Sequence, residues 1–244
     1  MPVKAVPGSF LRRLARAAAS LGLVATSALH VAHAAPQCDR SIAVGAACEI
    51  NLDALHPTQP AVGMMTVEER AARMSPSADY LESTGKRPIP VVQGPDGGFY
   101  LTDSHHLASV LHRIGVRRVT AQVIGRLDDG NTFWQEMEKR HWVWLTDPKG
   151  NRMRPEALPR RIADLKDDPY RALASYAQDA GYFKKTDAYF MEFHWARYFG
   201  QQMDWQAIDR LNLLSALQTA ERLACQPQAQ HLPGYAGPCK LEAD

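Results

Sequence analysis

The chain has 244 residues, 45% hydrophobic, 22% charged and 8% aromatic, with 28 Lys and Arg against 26 Asp and Glu. This globular composition excludes a mainly disordered chain, a collagen-like repeat and a polytopic membrane protein. A chain of this size buries a stable core without a metal or disulfide staple.

Residues 1–34 carry Lys4, Arg12, Arg13 and Arg16 and no acid, then an apolar run over 17–31 and the small-x-small site Ala32-His33-Ala34. The pattern reads as an export signal, and Arg12-Arg13 hints at twin-arginine export. The run is short for a bilayer span, which makes a retained anchor the lesser alternative. Without residues 1–34 the formal charge falls from +2 to −2. The expected mature protein is periplasmic or secreted and has no membrane segment. Its densest basic cluster, Arg152, Arg154, Arg160 and Arg161, is broken by prolines and offers little for non-specific nucleic-acid binding.

All four cysteines, Cys38, Cys48, Cys225 and Cys239, lie beyond the expected signal. An even count in an exported chain reads as two disulfides. The local pairing, 38 with 48 and 225 with 239, is the simplest of three. A pairing between the chain ends would restrain the unfolded state more strongly. The spacing fits no zinc motif.

In chain order, residues 49–52 alternate and predict a strand. Two prolines make 56–60 a loop. Thr66 and Glu69 suggest a capping box for a helix to about 74, and a short helix is expected over 78–83. Residues 88–93, the turn Pro95-Asp96-Gly97-Gly98 and residues 99–102 predict a hairpin. A helix capped by Thr102 or Asp103 then runs to about Ile114 and stops at Gly115. A strand over 116–124, a helix from Asn131 to about 140 and a short strand over 143–145 follow. Prolines 148, 155 and 159 make 148–166 mostly loop. Three helices are expected at about 169–180, 186–199 and 204–224, the first with Asp168 as cap and Pro169 in its first turn. The fold class is α+β: a mixed α/β unit over 35–147, a helical extension over 148–225 and a loop-rich tail over 226–244.

The stretch Leu101-Thr102-Asp103-Ser104-His105-His106 carries the most chemistry. A strand ends in an acid and a hydroxyl, and two histidines open a helix whose N-terminus can hold an anion. Imidazoles serve as acid and base near neutral pH. The spacing of Leu107, Val110, Leu111 and Ile114 predicts the buried face, with His105, Ser109 and His112 pointing away and His106 at the border. The candidate catalytic residues are therefore Asp103, His105 and His106, with His105 as the reactive group and Asp103 its orienter. Capping by Asp103 and packing by His106 are the plainer alternative. His105 and His112 could share a face, but no complete metal-ligand motif is present; a divalent metal stays open and the cofactor unknown. The aromatics at 133, 134, 142, 144, 190, 193, 195 and 199 read as core before base-stacking surface.

Three groups of residues resemble a known family. They are Leu55-x-Pro57-Thr58-Gln59-Pro60, Pro88-Ile89-Pro90-Val91-Val92-x-Gly94-Pro95-Asp96-Gly97 and Leu101-Thr102-Asp103-x-His105-His106. Phe133-Trp134, Trp142-Val143, Asp168-Pro169-Tyr170-Arg171 and Glu192-Phe193-x-Trp195-Ala196 extend the likeness across about 49–199. The pattern is similar to the ParB-like nuclease family of the ParB/sulfiredoxin superfamily. The resemblance implies a small α/β fold with a phosphate or nucleotide cleft. Thr58 and Gln59 would line it, Ser104 would help cradle phosphate, and Glu192 would face it. Two departures stand out: Ser104 replaces a usual Gly, and Leu107 replaces a frequent Arg. No loop cysteine supports sulfiredoxin chemistry, and no helix-turn-helix supports a chromosome-partition partner. The expected function is that of an exported nuclease or phosphodiesterase acting on a phosphate-containing ligand or nucleic acid. A non-catalytic binder of a small anionic or nucleotide-like ligand, and a small-molecule kinase related to free-serine kinases, are the alternatives.

Overall fold

In the computed structural model of this chain, residues 36–74 and 88–239 are described. The expected export signal and the helix expected over 78–83 fall outside them. The strands are β1 (Ala47–Asn51), β2 (Leu55–His56), β3 (Ala61–Val62), β4 (Ile89–Gln93), β5 (Phe99–Leu101), β6 (Arg118–Arg126) and β7 (Lys166–Asp167), with burial alternating along β1, β5 and most of β6. Five of them form a mixed sheet in the order β1-β6-β4-β5-β2. The predicted hairpin is present: β4 and β5 pair antiparallel, with Gly97 at φ +81° in the turn. The β6 strand runs antiparallel to β1 and parallel to β4, and β2 runs parallel to β5. Outside the sheet, β3 pairs parallel with β7 and brings the proline-rich stretch back to the loop after β2.

Among the described residues six helices complete the α+β fold: α1 (Met64–Arg73), α2 (His105–Arg113), α3 (Phe133–Lys139), α4 (Pro169–Asp179), α5 (Met191–Gln202) and α6 (Leu213–Ala224). One core joins the sheet to Val67 of α1 and Val110 and Leu111 of α2. A second joins α4, α5 and α6 around Trp195, Phe199 and Leu173. A smaller one gathers Val92, Phe133, Met137 and Leu145. Phe133, Phe193, Trp195 and Phe199 are buried, so the core reading of the aromatics holds for these four.

Several boundaries differ from expectation. The α1 helix has no capping box. Gly63 is its N-cap, Thr66 is buried with its hydroxyl unpartnered, and the Asp167 carboxylate accepts from the Met64 N–H at 2.8 Å. A tertiary partner thus replaces a local one. Residues 143–145 form no strand; Trp144 instead donates its N–H to the Thr58 carbonyl at 2.8 Å. The last helix starts at Leu213, because Asp204 and Trp205 take positive φ and Asp209 then turns the chain by accepting from Leu211 and Asn212. Asp168 caps α4 as expected, accepting from the Arg171 N–H at 3.0 Å.

Disulfides join Cys38 to Cys48 and Cys225 to Cys239, the local pairing, with Cα atoms 5.0 and 5.1 Å apart. Beside the first, the segment at 36–38 runs along the open edge of β1. Glu49 donates to the Pro36 carbonyl at 2.7 Å, and Cys38 donates to the Glu49 carbonyl at 2.9 Å.

Candidate functional site

The loop between β2 and α1 governs the site. Residues 57–63 are all buried, although this stretch includes only the short β3 strand. A buried loop must find partners for its own N–H and C=O groups. Two of those partners are the paired histidines. Thr58 donates its N–H to His105 Nε2 at 3.0 Å, and Gly63 donates its N–H to His106 Nε2 at 3.0 Å. Thr58 Oγ1 donates to the Leu101 carbonyl, so Thr58 is held both to the start of α2 and to the end of β5. Gln59 turns onto its own loop, donating to the Ala61 carbonyl at 3.1 Å.

These bonds reverse the expected orientation of His105. It lies on the covered side of α2, 5% exposed, with Ala108 and Ser109 buried beside it. The spacing of aliphatic residues located the face toward the sheet. It could not reveal the second face, which the 57–63 loop covers. Burial pulls the His105 pKa down to about 3. Burial, and then the charges of Arg171 and Arg70, hold His106 well below the usual imidazole range. Both rings are neutral near pH 7, and with Nε2 accepting, each carries its proton on Nδ1.

Neither Asp103 nor Thr102 caps α2. The N-cap is Ser104, in the left-handed region at φ +68°, and it makes no side-chain cap bond. Asp103 is exposed and accepts from the Ser104 N–H at 2.5 Å. The N–H groups of His105, His106 and Leu107 have no intrahelical acceptor, as in any first turn. Together they make the anion-favouring end of the helix dipole.

Arg171 is the residue that sequence reasoning passed over. It stands in the segment Asp168-Pro169-Tyr170-Arg171, read there only as part of a family pattern and a helix cap. In the structure it is 8% exposed on the first turn of α4. Its charge depresses the His106 pKa and is itself favoured by Asp103, so the three groups feel one another electrostatically. Nη1 donates to Ser175 at 2.7 Å, Nη2 lies 3.7 Å from Glu192, and Nε is buried with no partner. Burial lowers the guanidinium pKa, and Glu192 and Asp168 counter that effect. Glu192 therefore reaches the site through Arg171. An arginine three residues after a capping acid was the signal available in the sequence.

Among the described residues no group of three or more His, Cys, Asp and Glu side chains could hold a metal ion.

The family model described as "Putative ParB-like nuclease" matches residues 48–201, which include the whole of this site. The chain belongs to the ParB-like nuclease family. A solved relative supports the same fold for this family member: the crystal structure of protein Atu1540 from Agrobacterium tumefaciens is 34% identical. Its TM-score is 0.68, and the match covers 78% of this chain and 98% of that one. No curated protein matches the sequence.

Proposed function

We propose that this family member is an exported protein that binds a phosphate ester of nucleotide type at the start of α2. The unpartnered, buried Nε of Arg171 carries this reading. A desolvated guanidinium with a free donor is costly unless an anion meets it. Its charge is felt by His106 and Asp103 at a helix start whose own N–H groups favour an anion. Arg171 supplies from α4 the cation that Leu107 fails to supply after the histidines. The two histidines hold the 57–63 loop, and their neutral rings are poor bases near pH 7. The disulfides support export, since such bonds persist in oxidising compartments.

The test is equilibrium binding of inorganic phosphate and ribose 5-phosphate to the disulfide-bonded protein. Arg171→Gln weakens binding about tenfold or more, the loss expected for a charge-assisted bond. Glu192→Gln frees the guanidinium and tightens binding. Failure of the folded wild type to bind either anion removes the reading.

Phosphodiester hydrolysis is the second reading, favoured by the family match and by the exposed Asp103 carboxylate at the mouth of the site. Asp103 would then take the proton from an attacking water. Cleavage of DNA or RNA, with and without divalent metal, that is lost in Asp103→Asn would establish it. Strict nucleotide dependence of phosphate transfer to a small alcohol would make the protein a kinase instead.

A further inference from the structure

A cavity of about 400 Å³ opens between the end of α3 and the start of α5. Its volume is in the range of small-ligand sites. Aromatic rings line it: His141, Trp144, Tyr189, Phe190 and His194. The His141 and Tyr189 rings stack 4.2 Å apart at 18°, and Tyr189 is 62% exposed. Trp144 meets Phe190 at 4.9 Å, and His194 stands edge-on to it at 5.5 Å.

The backbone around this cavity is unusual. His141 and Phe190 both take left-handed φ, +56° and +55°. Phe190 is a bulky residue in a conformation that bulky side chains rarely adopt. Strain of this kind persists where the surrounding structure enforces it, often at ligand sites. Both residues border the same cavity.

The polar lining narrows the ligand. Arg152 and Glu138 pair through two bonds of 2.5 and 2.6 Å. His194 is part-buried, and burial with the charge of Arg197 favours its neutral ring, which has one donor and one acceptor. An aliphatic chain would leave the His194 donor and acceptor unmatched. A planar heteroaromatic ring satisfies both the ring faces and the polar edges.

The cavity also adjoins the first site. Trp144 stacks on Phe193 at 5.1 Å, and the Arg171 guanidinium lies over the same Phe193 ring at 5.3 Å. One phenyl ring separates the two. We infer that the aromatic cavity takes the base of a nucleotide whose phosphate lies toward Arg171. The inference rests on the phosphate reading for the second half of that statement.

The experiment measures binding of three probes to the disulfide-bonded protein: nucleosides, the matching nucleoside 5′-monophosphates and ribose 5-phosphate. The four common bases are each used. The variants are Tyr189→Ala, at an exposed position, and Trp144→Phe, which keeps an aromatic ring. Wild type binds at least one monophosphate more tightly than ribose 5-phosphate, and its nucleoside quenches fluorescence that Trp144→Phe removes. Tyr189→Ala weakens the monophosphate about tenfold, as loss of a stacking partner does, and leaves ribose 5-phosphate unchanged. Monophosphates that bind no better than ribose 5-phosphate, or are indifferent to Tyr189→Ala, overturn the base site and leave the anion site standing. Nucleoside binding without ribose 5-phosphate binding keeps the base site and overturns the phosphate reading.

Discussion

At Ser104 the chain takes a φ of +68°, where a Cβ crowds the neighbouring carbonyl. Glycine occupies that conformation freely. Ser104→Gly is expected to raise stability by up to about 1 kcal/mol, the relieved strain less the added freedom of the unfolded chain. Ser104→Val is expected to lower it. Urea midpoints compare the two. The buried histidines set a second expectation. His105 has a folded pKa of about 3 against an ordinary value of 6.5. A depressed histidine pKa means the unfolded chain binds the proton first. Stability is therefore full above about pH 6.5 and falls as pH drops from there toward the folded value. The loss from His105 alone is about 2 kcal/mol by pH 5. Thermal melts from pH 8 to 5 should show it, and His105→Gln should flatten the decline.

The elements are tied together where the buried loop meets α1 and α4. A Cβ added at Gly63 would stand 2.6 Å from the Ala172 backbone nitrogen, so glycine allows the two helix starts to approach. Gly63→Ala is expected to cost about 1–3 kcal/mol, as overpacking does. It should also weaken phosphate binding, because the Gly63 N–H would leave His106; unfolding curves and titrations together check this. The hairpin, the stop of α2 at Gly115 and the cap of α4 were legible in the sequence, because turn glycines and a capping acid act on near neighbours, whereas the cap expected for α2 was not found. The start of α1 was not, since Asp167 holds it from 103 residues away. The orientation of His105 was hidden for the same reason: Thr58, 47 residues distant, decides it. The resemblance marked the right loop, and Arg171 needed the fold to bring its charge within reach of His106.

Across the whole molecule the disulfides act at opposite ends of the described chain. Cys225–Cys239 closes the tail over a separation of 14 residues. The double variant Cys225→Ser/Cys239→Ser is expected to lose about 3 kcal/mol, the chain-entropy value for such a loop, read from denaturant unfolding. Cys38–Cys48 has a different consequence. It anchors residues 36–38 along the outer side of β1, which is the last strand of the five-stranded sheet. Unpaired strand edges are templates for other chains. This bond is therefore expected to guard against self-association. Opening it exposes the rim of the sheet, so the reduced protein is expected to form oligomers while its far helices remain folded.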